Sequence, residues 1–302
     1  MNKFKIAILL ITYKRPKYLQ KVLLKIKKIN PSILYIYSDG PKNKEEYFDV
    51  KMCRSIIDDI KWCSVKKKFN TKNMGIELVP KLAIDWVFKE NEMAIILEDD
   101  TLPSTSFFYF CKKLLIKYKN STKISMICGT NLAQEKSKNI KDSYFFSKYS
   151  NIWGWATWKK KWKHYDSKMK KWKFFEEKNL KLYSYFREEY LWWKKMFKLT
   201  YKGKSKNWDY QWTFENFYKN RLSVVPKKNL ISNIGINGHG INSNKLFNLK
   251  SHTIKFPLTH PKKINVNHEI DKIICKKTYI MPKLRFRIKK KFLKVFNNFI
   301  TN

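Results

Sequence analysis

The sequence has 302 residues, enough for one large domain or two small ones, and a formal net charge of +41 from 65 basic and 24 acidic residues. Its 43% hydrophobic content excludes an intrinsically disordered chain, because this much apolar surface can offset the conformational entropy lost on folding. Its five cysteines are an odd number without a CxxC pair, which excludes a secreted disulfide scaffold and favours a reducing, cytoplasmic setting.

The first 130 residues alternate between predicted strands and predicted helices. Short apolar runs that end at polar residues predict strands, and apolar residues that recur every three or four positions predict helices. The predicted strands are 4–12, 33–38, 62–69, 93–97 and 124–128. The predicted helices are 17–28, 44–60, 76–89 and 105–119. This alternation predicts an α/β fold, a mainly parallel, Rossmann-like sheet flanked by helices.

The remainder of the chain departs from this pattern. An aromatic-rich region begins at residue 143, and a basic tail without a strong core pattern begins near 245. Within the tail, residues 281–300 interleave apolar side chains with Lys and Arg, which predicts an amphipathic helix on an anionic membrane surface. The alternative is a helix docked on the domain. No apolar run reaches the ~20 residues that span a bilayer, and the basic-then-apolar start is too short for a signal peptide, so we expect a first strand there.

Polar clusters follow several of the predicted strands. They lie at residues 12–15, 39–40, 70–75 and 98–100. Because ligands of open α/β sheets bind outside the carboxyl ends of the strands, we expect these clusters to form one site. The adjacent carboxylates of Glu98, Asp99 and Asp100 repel each other unless a cation compensates, and a hard divalent cation with substrate phosphates is the natural partner. The alternative is a solvated loop in which Asp100 or Thr101 caps the next helix.

A family resemblance rests on motifs in this order: LITYKRP, YIYSDGPK, NMG, ILEDD and GWATW, all between residues 4 and 240. The combination resembles GT-A fold nucleotide-sugar glycosyltransferases of the bacterial family-2-like type and is similar to the N-acetylglucosaminyltransferase I group. The resemblance implies a metal-dependent, inverting glycosyltransferase. Such an enzyme would move a sugar from a nucleoside-diphosphate donor, with a UDP-sugar preferred, to a glycan or lipid-linked acceptor in bacterial surface polysaccharide or lipo-oligosaccharide biosynthesis.

The resemblance and the pattern of the tail together predict a domain plan and a location. Residues 1–245 would form the GT-A catalytic domain, with nucleotide-sugar binding in 1–130 and the aromatic-rich acceptor side in 131–245. Residues 246–302 would be a basic C-terminal extension with the amphipathic helix. The protein would be cytoplasmic and peripheral on the inner face of the cell membrane.

Site roles follow from the same resemblance. The residues expected to bind the donor are Thr12, Arg15, Asp39, Gly75, Glu98 and Asp99. Among them Asp39 would contact the nucleobase and Glu98 the donor sugar. Asp100 would hold Mn²⁺ or Mg²⁺, with the loop residue His239 as a second ligand. The alternatives are that Arg15 is a surface cation and that His239 is simply exposed.

Two further groups of residues are expected to contact the sugar and the acceptor. Trp153, Gly154 and Trp155 have the ring faces and the small residue that suit sugar stacking, and the alternative is core packing. The block around Asp209 resembles the one in which the N-acetylglucosaminyltransferase I group carries its general base. This base takes the proton of the acceptor hydroxyl, and the resemblance implies that role for Asp209. The alternative is an acidic residue in a first helical turn, favoured by the macrodipole. Glu215 is a second candidate base or a salt-bridge partner.

The net charge alone allows another class of function. Only six of the 65 cations are Arg, and the Lys residues are spread along the whole chain, whereas nucleic-acid proteins cluster their cations. We therefore expect no nucleic-acid partner. The alternative hypothesis is a non-catalytic protein that binds a polyanion, either nucleic acid or an anionic membrane. A sugar-nucleotide nucleotidyltransferase is a third hypothesis, but the glycine-rich basic loop expected near its N-terminus is absent.

Overall fold

The structure is a computed structural model that describes residues 3–175, 177–236 and 249–280. The strands within these residues are β1 (Ala7–Thr12), β2 (Ile33–Ser38), β3 (Ser64–Phe69), β4 (Met93–Glu98), β5 (Thr101–Pro103), β6 (Ile124–Cys128), β7 (Tyr144–Ser147), β8 (Trp155–Trp158), β9 (Leu222–Pro226) and β10 (Ile231–Asn233). The α-helices are α1 (Pro16–Lys27), α2 (Lys44–Asp58), α3 (Val79–Glu90), α4 (Thr105–Lys117), α5 (Gln134–Ser137), α6 (Lys159–Trp162), α7 (Glu177–Tyr183), α8 (Arg187–Tyr201), α9 (Asp209–Tyr218) and α10 (His268–Cys275).

Eight strands form one sheet in the order β3–β2–β1–β4–β8–β6–β9–β7. Six of them run in one direction, and β8 and β7 run against their neighbours. β5 and β10 form a separate antiparallel pair. This mixed, mostly parallel sheet with flanking helices confirms the predicted α/β fold class.

Helices cover both faces of the sheet. Alternate residues of its central strands point to opposite faces and are buried in two separate cores. In β1, Leu9 and Ile11 join one core together with residues of α3, α8 and α9. Ile8 and Leu10 join a second core together with residues of α1, α2 and α4. Burial on two faces explains why the central strands are continuous apolar runs, and it is why β1, β2, β4 and β6 were predictable.

The helix α1 shows how local sequence positions a site residue. Pro16 occupies its first turn, where the fixed φ suits the helix and no backbone N–H is needed. Its four buried residues recur at helical spacing: Leu19, Val22, Leu23 and Ile26. The helix therefore begins directly after the turn that follows β1, and its N-cap residue, Arg15, stands at the carboxyl end of that strand.

Residues 249–280 pack against this body. Ile254 and Ile274 are buried in the two cores, and Val266 forms an isolated bridge with Phe146 of β7. The sequence analysis placed this segment in a basic extension without a core pattern. Ile270 and Ile274 recur at helical spacing in α10, a signal that the sequence analysis missed, whereas the packing of the isolated Ile254 could not be predicted from local sequence.

The structure does not describe the segment that was expected to contact a membrane. The predicted amphipathic helix at 281–300 lies outside the described residues. Within the described ranges, no helix combines the length and the apolar character needed to cross a membrane. The contact between the tail and a membrane surface therefore stays a prediction.

Candidate functional site

The carboxyl ends of β1 and β4 bring the acidic triplet next to the first loop. The two strands are parallel, with Ile11 opposite Glu98, and the Asp99 N–H donates to the Ile11 carbonyl at 3.0 Å. The Thr12 hydroxyl and the Tyr13 N–H both donate to Asp99 Oδ2 at 3.0 Å. Asp99 therefore ties the end of β4 to the loop after β1, and the structure brings Thr12 and the triplet together.

Arg15 compensates part of the negative charge of the triplet. Its Nη1 atom lies 2.5 Å from Asp100 Oδ2 and 3.5 Å from Asp99 Oδ1. The Asp99 and Asp100 side chains are only 8% and 13% exposed, so these ion pairs are screened less than surface pairs. Arg15 is 33% exposed, but it is more than a surface cation, because its guanidinium contacts two largely buried carboxylates.

The structure also tests whether the triplet caps the next helix. The N-cap residue of α4 is Ser104, so neither Asp100 nor Thr101 caps that helix. Thr101 instead begins β5, and its hydroxyl bonds the N–H and the carbonyl of Glu98 at 2.9 and 2.8 Å. The capping alternative is wrong, and the triplet forms a tight turn between β4 and β5.

Burial and mutual repulsion raise the pKa values of the triplet. Burial, followed by the charges of Asp100 and Asp99, raises the pKa of Glu98 to about 8. Burial and the Asp100 charge raise the pKa of Asp99 to about 6, although Arg15 and two hydrogen bonds act in the opposite direction. One guanidinium therefore leaves excess negative charge, which a bound cation would relieve.

Asp39 organises the loop before α3. Both of its carboxylate oxygens accept hydrogen bonds. The donors, at 2.9–3.1 Å, are the N–H groups of Gly40, Met74 and Gly75 and the side-chain amides of Asn70 and Asn73. Gly75 has φ +79°, a conformation that favours glycine. Asp39 therefore holds residues 70–75 against the end of β2, and its contact with a nucleobase stays a prediction.

A glycine contact lies beside Asp100 that the sequence analysis missed. The Ile234 N–H, just after β10, donates to the Asp100 carbonyl at 2.9 Å. A methyl group on Gly235 would lie 2.4 Å from Asp100 Oδ2, so this approach requires glycine. The available signal was the three glycines within residues 235–240, in the loop from which the sequence analysis took only His239. His239, the predicted second metal ligand in this segment, lies outside the described residues.

Asp209 is the first residue of α9. Burial raises its pKa to about 6, opposed by a hydrogen bond from its own N–H. Its charge also contributes to the raised pKa of Glu98, so the two carboxylates lie within electrostatic reach of each other. Glu215 is instead buried and paired with Lys171, whose Nζ lies 3.0 Å from its Oε2. Of the two candidate bases, the pairing with Lys171 identifies Glu215 as a salt-bridge partner.

Part of the GWATW block packs in the core and does not line a sugar site. Trp155 is 1% exposed, and its ring centroid lies 6.0 and 5.9 Å from those of Trp208 and Trp212. Gly154 has φ +61°, and an added methyl group would lie 2.5 Å from Ile231 Cδ1. The predicted sugar contacts of Trp155 and Gly154 are wrong, because neither residue exposes surface on which a sugar could stack.

Trp153 keeps part of its surface exposed. It precedes β8, which runs antiparallel to β4 and begins with Trp155 opposite Ile96, two positions before Glu98. Trp153 therefore approaches the edge of the sheet at which the acidic triplet lies. Its predicted contact with a sugar stays a prediction.

The oxygen atoms of the triplet suit a divalent ion only together with a substrate. Asp100 Oδ1 is buried without a hydrogen-bond partner, and it is the kind of hard oxygen that Mg²⁺ and Mn²⁺ prefer. Within the described residues, no group of three or more His, Cys, Asp or Glu side chains is arranged to hold a metal. The residues fit the type of site in which one or two carboxylates are completed by substrate phosphates and water. The predicted Mn²⁺ or Mg²⁺ stays a prediction.

The sequence matches no known family model and no curated protein. Distant likenesses exist among solved structures. One is a mannosyltransferase from Pyrobaculum calidifontis in complex with GDP-Man and Mn²⁺, at 12% identity and a TM-score of 0.37, covering 52% of this chain and 45% of that chain. Another is the 4-diphosphocytidyl-2C-methyl-D-erythritol synthase from Anaerococcus prevotii, at 11% and 0.32, covering 52% and 72%.

A third likeness is HddC from Yersinia pseudotuberculosis, at 11% identity and a TM-score of 0.32, covering 51% of this chain and 77% of that chain. All three are confined to about half of this chain. Likeness at this level concerns the α/β arrangement and no more. The resemblance to a glycosyltransferase family, drawn from the sequence motifs, therefore stays a prediction.

Proposed function

We propose that this protein is a glycosyltransferase that uses a nucleotide-sugar donor. The observation that carries the proposal is the convergence at the ends of β1 and β4. There Arg15 and Asp99 adjoin the buried, unpartnered Oδ1 of Asp100, and Asp209 lies within electrostatic reach of Glu98. These groups supply what transfer from a diphosphate requires: oxygens for a cation, a guanidinium for phosphate and a carboxylate that can take a proton.

The finer assignment follows the sequence motifs SDG, EDD and GWATW. We propose metal-dependent, inverting transfer from a nucleoside-diphosphate-sugar, a UDP-sugar by preference, to a glycan or lipid-linked acceptor. The setting would be surface polysaccharide or lipo-oligosaccharide assembly, by a cytoplasmic enzyme peripheral on the inner face of the membrane. The motifs support this assignment together with the site geometry.

The roles of the site residues follow from their chemistry. A divalent ion held by Asp100 would act as a Lewis acid toward the leaving diphosphate. Arg15, once released from Asp100, would meet phosphate oxygens with its planar donor fork. Thr12 holds Asp99 by a 3.0 Å hydrogen bond and so fixes the turn that carries Asp100. Asp209, with a pKa raised to about 6, would be ionised at neutral pH and would accept the proton of the acceptor hydroxyl.

The substitution Asp100→Asn tests the proposal. UDP-, GDP- and CMP-sugars are titrated with and without Mn²⁺, and melting temperature and donor hydrolysis are measured. We expect metal-dependent binding of one nucleotide class by the natural chain, and a roughly 100-fold or larger loss of hydrolysis in the variant, since its neutral amide binds a hard cation poorly.

The matched control is Asp59→Asn. Asp59 is exposed and follows the last residue of α2, which places it at the edge of the sheet opposite the site. Full activity of Asp100→Asn would contradict the metal role of Asp100. Binding of nucleic acid together with no nucleotide-sugar binding would contradict the proposed function and favour the polyanion hypothesis.

A further inference from the structure

The resemblance implies that Asp39 contacts the nucleobase, but its carboxylate has no position left for a ligand. An ionised carboxylate offers about four lone-pair sites. Five donors already occupy those of Asp39, namely three backbone N–H groups and two side-chain amides. The residue is also only 4% exposed. A nucleobase at this edge of the sheet would therefore need another group to recognise it.

The two asparagines that hold Asp39 differ in what they leave free. Asn70 uses both ends of its amide, because its Nδ2 donates to Asp39 Oδ1 at 3.1 Å and its Oδ1 accepts from the Tyr37 hydroxyl at 3.0 Å. Asn73 uses only its nitrogen, which donates to Asp39 Oδ2 and to the Gly40 carbonyl, both at 2.9 Å. Among the described residues, no donor reaches Asn73 Oδ1. The residue is half-buried, so part of it faces solvent.

The orientation of the Asn73 amide is fixed by its partners. If its two ends were exchanged, the oxygen would face the Asp39 carboxylate and the Gly40 carbonyl, two acceptors that have no hydrogen to donate. The loop that carries the amide is also held in place. A methyl group on Gly40 would lie 2.5 Å from the carbonyl carbon of Lys72, so the two backbones are in direct contact. Asn73 Oδ1 is therefore an acceptor whose position is set before any ligand binds.

Asn73 lies on the same edge of the sheet as the acidic triplet. The Asp39 N–H donates to the Thr12 carbonyl at 3.0 Å, and the Thr12 hydroxyl donates to Asp99 at 3.0 Å. The strand β1 lies between β2 and β4, so the loop and the triplet are two strand spacings of about 4.8 Å apart. An extended nucleotide with its diphosphate at Asp100 would place its base at this loop.

We propose that Asn73 Oδ1 accepts a hydrogen bond from the ring N–H of the donor nucleobase and so selects the base. Uracil, thymine and guanine carry a ring N–H beside a carbonyl group. The corresponding ring nitrogens of cytosine and adenine are acceptors, and two acceptors that face each other lose affinity. The role of Asn73 rests on the proposed use of a nucleotide-sugar donor, and it adds the class of base and the residue that reads it.

The test compares UDP and GDP with their ring-methylated forms, 3-methyl-UDP and 1-methyl-GDP, in calorimetric titrations with Mn²⁺. We expect the natural chain to bind one of the two nucleotides and to bind its methylated form roughly tenfold more weakly, because the methyl group replaces the donated hydrogen. Asn73→Ala is expected to bind the unmethylated nucleotide roughly tenfold more weakly and to bind both forms equally well.

The matched control is Asn70→Ala. It also removes an amide donor from Asp39, but Asn70 has no free oxygen to offer a base. We expect this variant to keep the discrimination against the methylated form. Loss of discrimination in both variants would show that Asn73 only holds the loop, and it would overturn the role of Asn73 in base selection.

The natural chain alone also tests the proposal, so the test stands even if Asn73→Ala does not fold. Equal binding of the methylated and unmethylated forms would overturn the role of Asn73 and leave the proposed transferase intact. Preferred binding of CDP or ADP would have the same meaning. Binding of no nucleotide at all would overturn both the role of Asn73 and the proposed function.

Discussion

Arg15 occupies the place where the acidic triplet needs a positive charge. Its guanidinium contacts Asp100 Oδ2 and lies near Asp99 Oδ1, the carboxylates to which a divalent ion would also be attracted. Two cations at the same oxygens repel each other. Arg15 and a metal ion are therefore expected to compete for the carboxylates, until substrate phosphates give the guanidinium another partner.

The competition predicts the behaviour of Arg15→Gln. Without metal, the variant leaves two largely buried carboxylates uncompensated, and we expect it to lose about 1–3 kcal/mol of unfolding free energy. Added Mn²⁺ is expected to raise its melting temperature more than that of the natural chain, as measured by calorimetry. The control is Lys14→Gln, because Lys14 pairs with Glu46 and not with the triplet. Equal Mn²⁺ responses in the two variants would contradict the prediction.

The raised pKa of Asp209 predicts a pH profile. A general base works only when ionised, so kcat is expected to rise from pH 5 and to level off above the pKa of about 6. Asp209→Asn is expected to lose this limb and roughly 100-fold to 10,000-fold in transfer rate, while nucleotide binding is kept. Glu188→Gln is the control, because Glu188 stands in the first turn of α8 as Asp209 does in α9. Equal effects of the two variants would reduce Asp209 to a helix-dipole role.

Some site residues could be predicted from the sequence because their position alone defines their neighbours. Thr12 ends β1 and Asp99 directly follows the adjacent parallel strand β4, so both were expected at the same edge of the sheet. Trp155 could not be assigned in this way. A tryptophan in a core and a tryptophan in a sugar site look alike in sequence, and its burial depends on Trp208 and Trp212, far along the chain.

At the scale of elements, the short strand β10 packs as a wedge between the loop at Gly129 and the loop at Gly154. Its first residue, Ile231, fills the space left by two glycines. A methyl group added at Gly129 or at Gly154 would lie 2.5 Å from the Ile231 side chain. The same strand leads through Gly235 to the side of Asp100. The packing of β10 therefore sets how closely the chain approaches the acidic triplet.

The wedge predicts different costs for two glycine substitutions. Gly203→Ala introduces a side chain at φ +66° with no atom within 4 Å, and we expect a loss of about 1–2 kcal/mol from backbone strain alone. Gly154→Ala adds overlap with Ile231 to a similar strain at φ +61°, and we expect a loss of about 2–5 kcal/mol. Urea unfolding measures both. Equal losses would contradict the wedge.

The elements differ in how far sequence predicts them. Central strands such as β1 and β4 are buried on both faces, so they can be recognised in the sequence as apolar runs. The sequence analysis assigned no strands within the aromatic-rich region from residue 143, where β7, β8, β9 and β10 form. These strands have three to five residues each. β7 and β8 mix aromatic residues with Ser, Ala or Thr, and β9 and β10 mix aliphatic residues with Ser, Pro or Asn. Their stability comes from partners distant in sequence, so no local pattern marks them.

At the scale of the whole molecule, a buried polar cluster joins three distant segments. Lys148, after β7, places its Nζ 3.0 Å from an oxygen of Glu189 in α8. Its backbone N–H donates to Asp271 Oδ2 in α10 at 2.9 Å. All three side chains are buried. The cluster fixes α10 to the body, which keeps residues 249–280 part of one folded unit.

The cluster predicts a pH dependence of stability. Burial raises the pKa of Asp271 from its ordinary 3.8 to about 7. The folded state then holds the proton more tightly than the unfolded state, so the unfolding free energy falls as pH rises from about 4 to about 7 and levels above that. Asp271→Asn, which stays neutral, is expected to remove this fall, which amounts to roughly 4 kcal/mol for a shift of this size. Urea unfolding across this range, with Asp59→Asn as control, checks it, and an equally steep fall in Asp271→Asn would contradict it.

The insertion of β8 between β4 and β6 imposes an order on assembly during synthesis. Both β4 and β6 are synthesised before β8. The edge of β4 that pairs with β8 in the folded protein therefore has no native partner at first. That strand reads MAIILE, an apolar edge of the kind that pairs with other chains. β6, which runs in the same direction, emerges earlier than β8 and offers a competing partner. We therefore expect the nascent chain to depend most on protection by a chaperone in the interval between the synthesis of β4 and the pairing of β8.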